Sequence, residues 1–267
     1  MNDLPDTPWR AGAYVDRRSM LLLGGAALTA FFNETVTREL FQGHRIKAVA
    51  FDAFAIFDIR PIIAACESAF PGQGAILSKE WRTRQFEYQW LSALAGKYQD
   101  FSETTRNALK YAARSINVTV SDDTTDVLMQ TYMHMNKWPD AAASLDHLRR
   151  SGRKTLLLSN ATEAILHSSL TSSGLQQSFD HVLSTDRIAT YKPDPRAYQM
   201  AVDRTGYGKQ EILFVAFAGW DAVGASWFGY PTLWNNRLSA VSEKLGVTPD
   251  FEAASLDALT TLLELGK

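Results

Sequence analysis

The sequence has little of what would tie it to a metal, a nucleotide or a disulfide framework. Its 267 residues include one cysteine, Cys66, so no intrachain disulfide can form, and its apolar neighbours mark a buried, unreactive thiol. The five histidines, His44, His134, His147, His167 and His181, make no His-Glu-x-x-His pair, which removes the zinc-hydrolase signature. No Gly-x-Gly-x-x-Gly and no Gly-Lys-Ser/Thr phosphate loop occurs. An excess of one charge is also missing. With 27 Lys and Arg against 29 Asp and Glu, the net charge is −2, and no basic run offers long-range attraction to nucleic acid or anionic lipid. No apolar run is long enough to cross a bilayer, and there is no internal repeat. A small molecule is the default partner.

What is present is a core-forming chain, 46% hydrophobic, long enough for one α/β domain plus an insertion. Ile46–Phe51 reads as a strand. From Asp58 to about Trp138 only helical patterns follow, at Ile59–Phe70, Ser78–Leu94, Phe101–Ile116 and Ser121–Lys137, the last opened by Ser121-Asp122-Asp123 as a cap. Alternation then resumes: helix Asp140–Gly152, strand Lys154–Leu158, helix Thr162–Gly174, strand Phe179–Leu183, helix Pro195–Gly206, and strands Ile212–Phe217 and Pro231–Asn235. Strands alternating with helices predict a doubly wound, mainly parallel sheet with right-handed crossovers, here with an inserted helical cap. The expected division is 1–45 as an N-terminal extension, 46–60 with 139–267 as the core domain, and 61–138 as the cap.

Polar groups recur where strands end, the place ligands occupy in open α/β sheets. Asp52 closes the first strand, Ser159-Asn160 follow the second, Lys192 lies in Tyr191-Lys-Pro-Asp-Pro, and Asp221 follows Glu211-Ile-Leu-Phe-Val. Singly, each is as well explained as a helix N-cap or a surface charge. Together, in this order, they resemble the haloacid dehalogenase superfamily of aspartate-nucleophile hydrolases. Phe51-Asp-Ala-Phe-Ala-Ile-Phe-Asp58, Trp81-Arg-Thr-Arg-Gln-Phe-Glu-Tyr-Gln-Trp-Leu91 and Ala218-Gly-Trp-Asp-Ala-Val-Gly-Ala225 sharpen the likeness to type II (S)-2-haloacid dehalogenases, over roughly Ile46 to Lys267.

That resemblance implies a Rossmann-like core, no metal or cofactor, a small 2-haloacid as substrate with halide as product, and a possible homodimer. It implies Asp52 as nucleophile, and Arg82 descending from the cap, with Asn160 beside it, to receive the halide. A cation within ~4 to 6 Å favours an ionised carboxylate, and Lys192 is placed for that role, with Asp221 positioning Lys192 and the hydrolytic water. Tyr198 could fix Lys192, Ser159 would receive the substrate carboxylate, and Phe54, Phe101 and Trp220 would wall the pocket.

Three polar supports of the family's pattern are missing. The family's Asp-x-Tyr-Gly-Thr-Leu-Phe-Asp is one residue shorter here, so Ala55 or Ile56 stands for the threonine, and its Ser-Ser-Asn is Ala216-Phe217-Ala218. Two other readings therefore stay open: an exported, non-catalytic binding protein on the same fold, and a phosphohydrolase. The second needs a carboxylate at position 54 and an acidic magnesium ligand near 217, where this chain has phenylalanines. Near the N-terminus, Arg17-Arg18 directly precede an apolar stretch within Asp16–Phe32 of about a dozen residues, resembling a twin-arginine export signal without a clean Ala-x-Ala site. Export to the periplasm follows as an expectation, with membrane contact only through this segment if it is not cleaved.

Overall fold

The computed structural model describes residues 46–265. The twin-arginine segment lies outside the described residues. Six parallel strands form one sheet in the order β3-β2-β1-β4-β5-β6, with β1 at Ala48–Phe51, β2 at Lys154–Ser159, β3 at His181–Ser184, β4 at Ile212–Ala216, β5 at Thr232–Asn235 and β6 at Phe251–Ala253. The order reverses between β1 and β4, which opens a crevice beyond their C-terminal ends.

Strand periodicity makes the two faces. Val49 and Phe51 of β1, Leu157 of β2, and Leu213 and Val215 of β4 point into one apolar cluster; Ala48, Ala50, Leu156, Leu158, Ile212, Phe214 and Ala216 point into the other. Both faces are buried, so the strands read as unbroken apolar runs rather than alternations. Helices α6 (Ala141–Arg150), α7 (Glu163–Ser173) and α10 (Ala258–Leu265) cover the first face, and α8 (Pro195–Thr205) and α9 (Gly219–Phe228) the second.

Between β1 and β2 the chain makes α1 (Ala53–Ile56), α2 (Arg60–Ala69), α3 (Gly74–Leu94), α4 (Phe101–Ser115) and α5 (Asp122–Met133). Their buried Trp81, Phe101, Leu109 and Tyr132 are continuous with the first-face core. Cys66 is buried there, and burial pushes its thiol up to about 11, which keeps it protonated and inert. Among the described residues no helix is long and apolar enough to cross a membrane.

Several boundaries differ from the sequence reading. Helix α3 starts at Gly74, four residues before Ser78, because the Ser78 hydroxyl donates to Ala75 O inside the helix instead of capping it. Gly74 is required there, since a Cβ would stand 2.2 Å from the Glu67 backbone. Helix α5 ends at Met133, not Lys137: Asn136 O must receive Asp58 N–H at 2.7 Å, and Lys137 bridges Phe57. Short β6, three residues being too few to show a period, and the eight-residue α10 were not foreseen.

The return from α5 to the sheet clasps the short α1. Trp138 donates through its main-chain N–H to Ile56 O at 2.9 Å and through Nε1 to Phe54 O at 3.0 Å. Arg237, after β5, reaches Ala55 O at 3.3 Å and Asp140 Oδ1 at 2.8 Å. The guanidiniums of Arg60 and Arg237 each lie 4.7 Å from the Trp138 ring. Arg237→Met keeps the bulk but strands a nearly buried Asp140 carboxylate, so the fold should lose about 3 kcal/mol. Urea unfolding checks this; a loss below about 1 kcal/mol, the scale of an exposed ion pair, would mean that the clasp is incidental.

Candidate active site

Asp52 leaves β1 at the crevice and caps α1, its Oδ2 accepting Phe54 N–H at 3.0 Å. The capping reading is therefore correct, and it accounts for one oxygen only. Oδ1 meets the Lys192 ammonium at 2.8 Å, and the same ammonium donates to Asp221 Oδ2 at 2.6 Å. Lys192 is carried by the loop between β3 and α8, and Asp221 by the first turn of α9, so three separate strand ends supply one buried charge row. Burial alone would lower the Lys192 ammonium, but the charges of Asp221 and Asp52 outweigh it and hold it above the ordinary lysine value. Asp221 is pushed up to about 6, chiefly by burial, with Lys192 pulling it down and the Asp52 charge adding to the rise.

Tyr198 corrects one expectation. Its hydroxyl donates to Asp221 Oδ1 at 2.7 Å, so it acts on Lys192 only through that carboxylate. Burial, then the Asp221 charge, raises the phenol well above its usual value, so it remains a donor. Gly224 of α9 makes room for it: a Cβ there would stand 2.4 Å from the Tyr198 hydroxyl oxygen and 2.7 Å from Pro193 Cβ.

Asn160 joins the loop to the helices above. Its Oδ1 accepts Lys192 N–H at 2.9 Å and its Nδ2 reaches Gln89 Oε1 of α3 at 3.3 Å. Ser159 is buried at the end of β2, its Oγ accepting Ala161 N–H at 3.1 Å. Arg82 comes down from α3 with its guanidinium 5.3 Å from the Phe54 ring and 5.6 Å from Phe86. Its Nη1 is buried with no hydrogen-bond partner, and burial lowers the guanidinium from its ordinary value against the pull of Tyr132 and Asp52. A half-buried guanidinium with one buried nitrogen left unpaired can receive an anion.

Trp220 sits under α3, its ring 5.2 Å from Phe86 and 5.4 Å from Trp90. Phe101 opens α4 and turns its ring onto Tyr132 at 5.7 Å, within the helical layer. Phe54 faces Phe217 at 6.2 Å, so two rings occupy the positions where a phosphohydrolase needs carboxylates. Among the described residues no three of His, Cys, Asp and Glu are grouped to hold a metal. The donor set does not fit a magnesium site.

The model of the haloacid dehalogenase-like hydrolases matches residues 22–229. This chain belongs to that family. It is similar to an (S)-2-haloacid dehalogenase of Pseudomonas sp. (strain YL), 38% identical over 82% of this chain and 95% of the relative. A solved L-2-haloacid dehalogenase superposes with a TM-score of 0.80 at 36% identity, covering 82% of this chain and 99% of that one. Another, from Xanthobacter autotrophicus and solved with chloropropionic acid covalently bound, gives 0.74 at 31% identity over 82% and 98%.

In this hydrolase the residues that sequence reasoning passed over are on α3. Phe86, Gln89 and Trp90 follow Arg82 at helical spacing, and Trp90 Nε1 donates to Lys192 O at 3.1 Å. A buried glutamine in step with Arg82 was the available signal. The titration of Asp221 gives a test. As pH falls through about 6, Asp221 loses its charge and Lys192 is drawn wholly onto Asp52, so hydrolytic turnover should fall on that acid limb. Tyr198→Phe removes a hydrogen bond that favours the ionised form and should move the limb to higher pH; an unmoved limb would detach Asp221 from turnover.

Proposed function

We propose that this chain is an (S)-2-haloacid dehalogenase, hydrolysing small (S)-2-haloacids to (R)-2-hydroxyacids through an ester on Asp52. The observation that carries the reading is the buried row Asp52–Lys192–Asp221 lying below an unpaired, buried Arg82 nitrogen. A carboxylate held by an ammonium, opposite a cation with an unpaired nitrogen, suits displacement of an anion by a carboxylate; the named relatives support it.

In the first step an Asp52 carboxylate oxygen attacks C2 from the side opposite the halogen, and the carbon–halogen pair leaves with the halide toward Arg82 and Asn160. Configuration inverts. The planar guanidinium, weakly hydrated, suits the departing anion better than an ammonium would. Ser159 and the neighbouring main-chain N–H groups hold the substrate carboxylate, while Phe54 and Trp220 keep water from weakening these contacts. In the second step water attacks the Asp52 ester carbonyl, the 2-hydroxyacid leaves with the proton that water gives up, and the carboxylate is restored. Asp221, through Lys192, positions that water. The balance is haloacid and water in, hydroxyacid, halide and a proton out, with no metal needed.

The second step has fewer supports than the first. Ala216, and whichever of Ala55 and Ile56 stands for the threonine, are buried apolar groups where the family's pattern carries hydroxyls, and Ala218 heads α9 without a side-chain cap. Losing one oriented donor near a developing oxyanion costs about 10² to 10³ in rate, so the ester should accumulate. Intact-mass measurement after mixing with (S)-2-chloropropionate should show an adduct on the Asp52 peptide and a burst of halide, and a single turnover in ¹⁸O water should label Asp52 rather than product. Asp52→Asn should release no halide, whereas a chelator should leave the wild type unchanged. Steady release with neither burst nor adduct would refute the slowed second step; full activity in Asp52→Asn would refute the nucleophile.

We further infer export to the periplasm, supported by Arg17-Arg18 before the apolar stretch. A reporter fused after residue 45 should be exported, and Lys-Lys in place of the two arginines should retain it in the cytoplasm. Unchanged export would end the twin-arginine reading.

A further inference from the structure

Along α3, Arg82, Phe86 and Gln89 lie four and then three residues apart, so they fall on one face. That face meets the strand ends, Phe86 at Trp220 and Gln89 at Asn160. Gln89 is fully buried, and one end of its amide is engaged. The main chain fixes which end. Lys192 N–H can only donate, and it points at Asn160 Oδ1 at 2.9 Å, with the Thr185 hydroxyl on the same oxygen at 3.4 Å. Asn160 therefore turns its NH₂ toward Gln89, and Gln89 must answer with its oxygen. The Gln89 NH₂ is left buried with no partner.

Buried donors are nearly always paired, so an orphan at a site asks for a ligand. A second orphan, Arg82 Nη1, comes from the same helix face. The Arg82 guanidinium lies 5.6 Å from the ring of Phe86, the residue that stands between it and Gln89 on that face. The Asn160–Gln89 contact, at 3.3 Å, is long for an amide hydrogen bond and can be exchanged for a better acceptor.

We propose that Gln89 Nε2 is a further N–H donor to the departing halide, beside Arg82 and Asn160; this rests on the dehalogenase reading above. A neutral amide donor adds no charge to a site that already holds a guanidinium. Its hydrogen bond strengthens with the charge density of the anion, so Gln89 favours chloride over bromide as leaving group.

Gln89→Met keeps most of the volume and removes both donor and acceptor. Gln89→Glu keeps an oxygen for Asn160 and removes the donor. The readouts are kcat/KM for (S)-2-chloropropionate and (S)-2-bromopropionate, and chloride binding followed by ³⁵Cl line broadening. Both variants should lose about 10- to 100-fold on the chloro acid, less on the bromo acid, and should bind chloride more weakly. If Gln89→Glu matches the wild type, or both substrates fall equally with chloride binding unchanged, Gln89 only orients Asn160 and the proposal fails. If the wild type releases no halide yet binds chloride in a Gln89-dependent way, the donor assignment stands and the dehalogenase reading falls. Absence of both turnover and chloride binding overturns both.

Discussion

The structure depends on one buried ammonium. Lys192 is 1% exposed, and a charge so deeply placed is tolerated only because a carboxylate stands on either side of it. Those carboxylates come from the ends of β1 and β4, the neighbours at which strand order reverses. Their separation is therefore set by the sheet register. A slip of one residue would turn Asp52 to the other face and leave Lys192 with one partner. The sheet core, which looks like packing alone, is what holds the charge row.

Around this row each remaining oxygen is also held. Phe54 N–H takes Asp52 Oδ2, and Tyr198 takes Asp221 Oδ1. Little is left free to rotate, so the carboxylates are ordered before any ligand arrives, as catalysis by fixed charges and dipoles requires. The clasp of Trp138 and Arg237 on α1 extends that order to the turn that follows Asp52. Gly224 contributes by lacking a side chain where Tyr198 and Pro193 approach α9.

The helices above carry the opposite character. Two donors of α3, Arg82 Nη1 and Gln89 Nε2, are buried without partners, and so is Trp220 Nε1 of α9 beneath them. Aromatic rings of Phe54, Phe86, Trp90 and Trp220 surround them. In the proposed mechanism the two sets divide the work of a carbon–halogen displacement: Asp52 attacks while held by Lys192 and Phe54 N–H, and Arg82 and Gln89 offer donors to the departing anion.

Much of this was legible in the chain itself. Unbroken apolar runs ending in Asp52, Ser159-Asn160 and Asp221, separated by helical periods, specified a parallel sheet with polar groups at one edge, because strands buried on both faces cannot alternate. Helices α2 to α5 were legible from their stripes, and Arg82 from the Trp-Arg motif. Boundaries at Gly74 and Met133 were not, since they follow from the close crossing at Glu67 and from the pairing of Asn136 with Asp58, which join residues far apart in sequence. The partner of Tyr198 was misread for the same reason: helical spacing places its ring, but only the approach of α9, permitted by Gly224, brings Asp221 to its hydroxyl. The sequence by itself determined the order of strands and helices and the chemical identities gathered at the strand ends, because periodicity and residue type are local properties. Which buried donor is satisfied and which is left free was decided by the tertiary structure alone, because a hydrogen bond between Asn160 and Gln89 depends on the packing of α3 over the sheet.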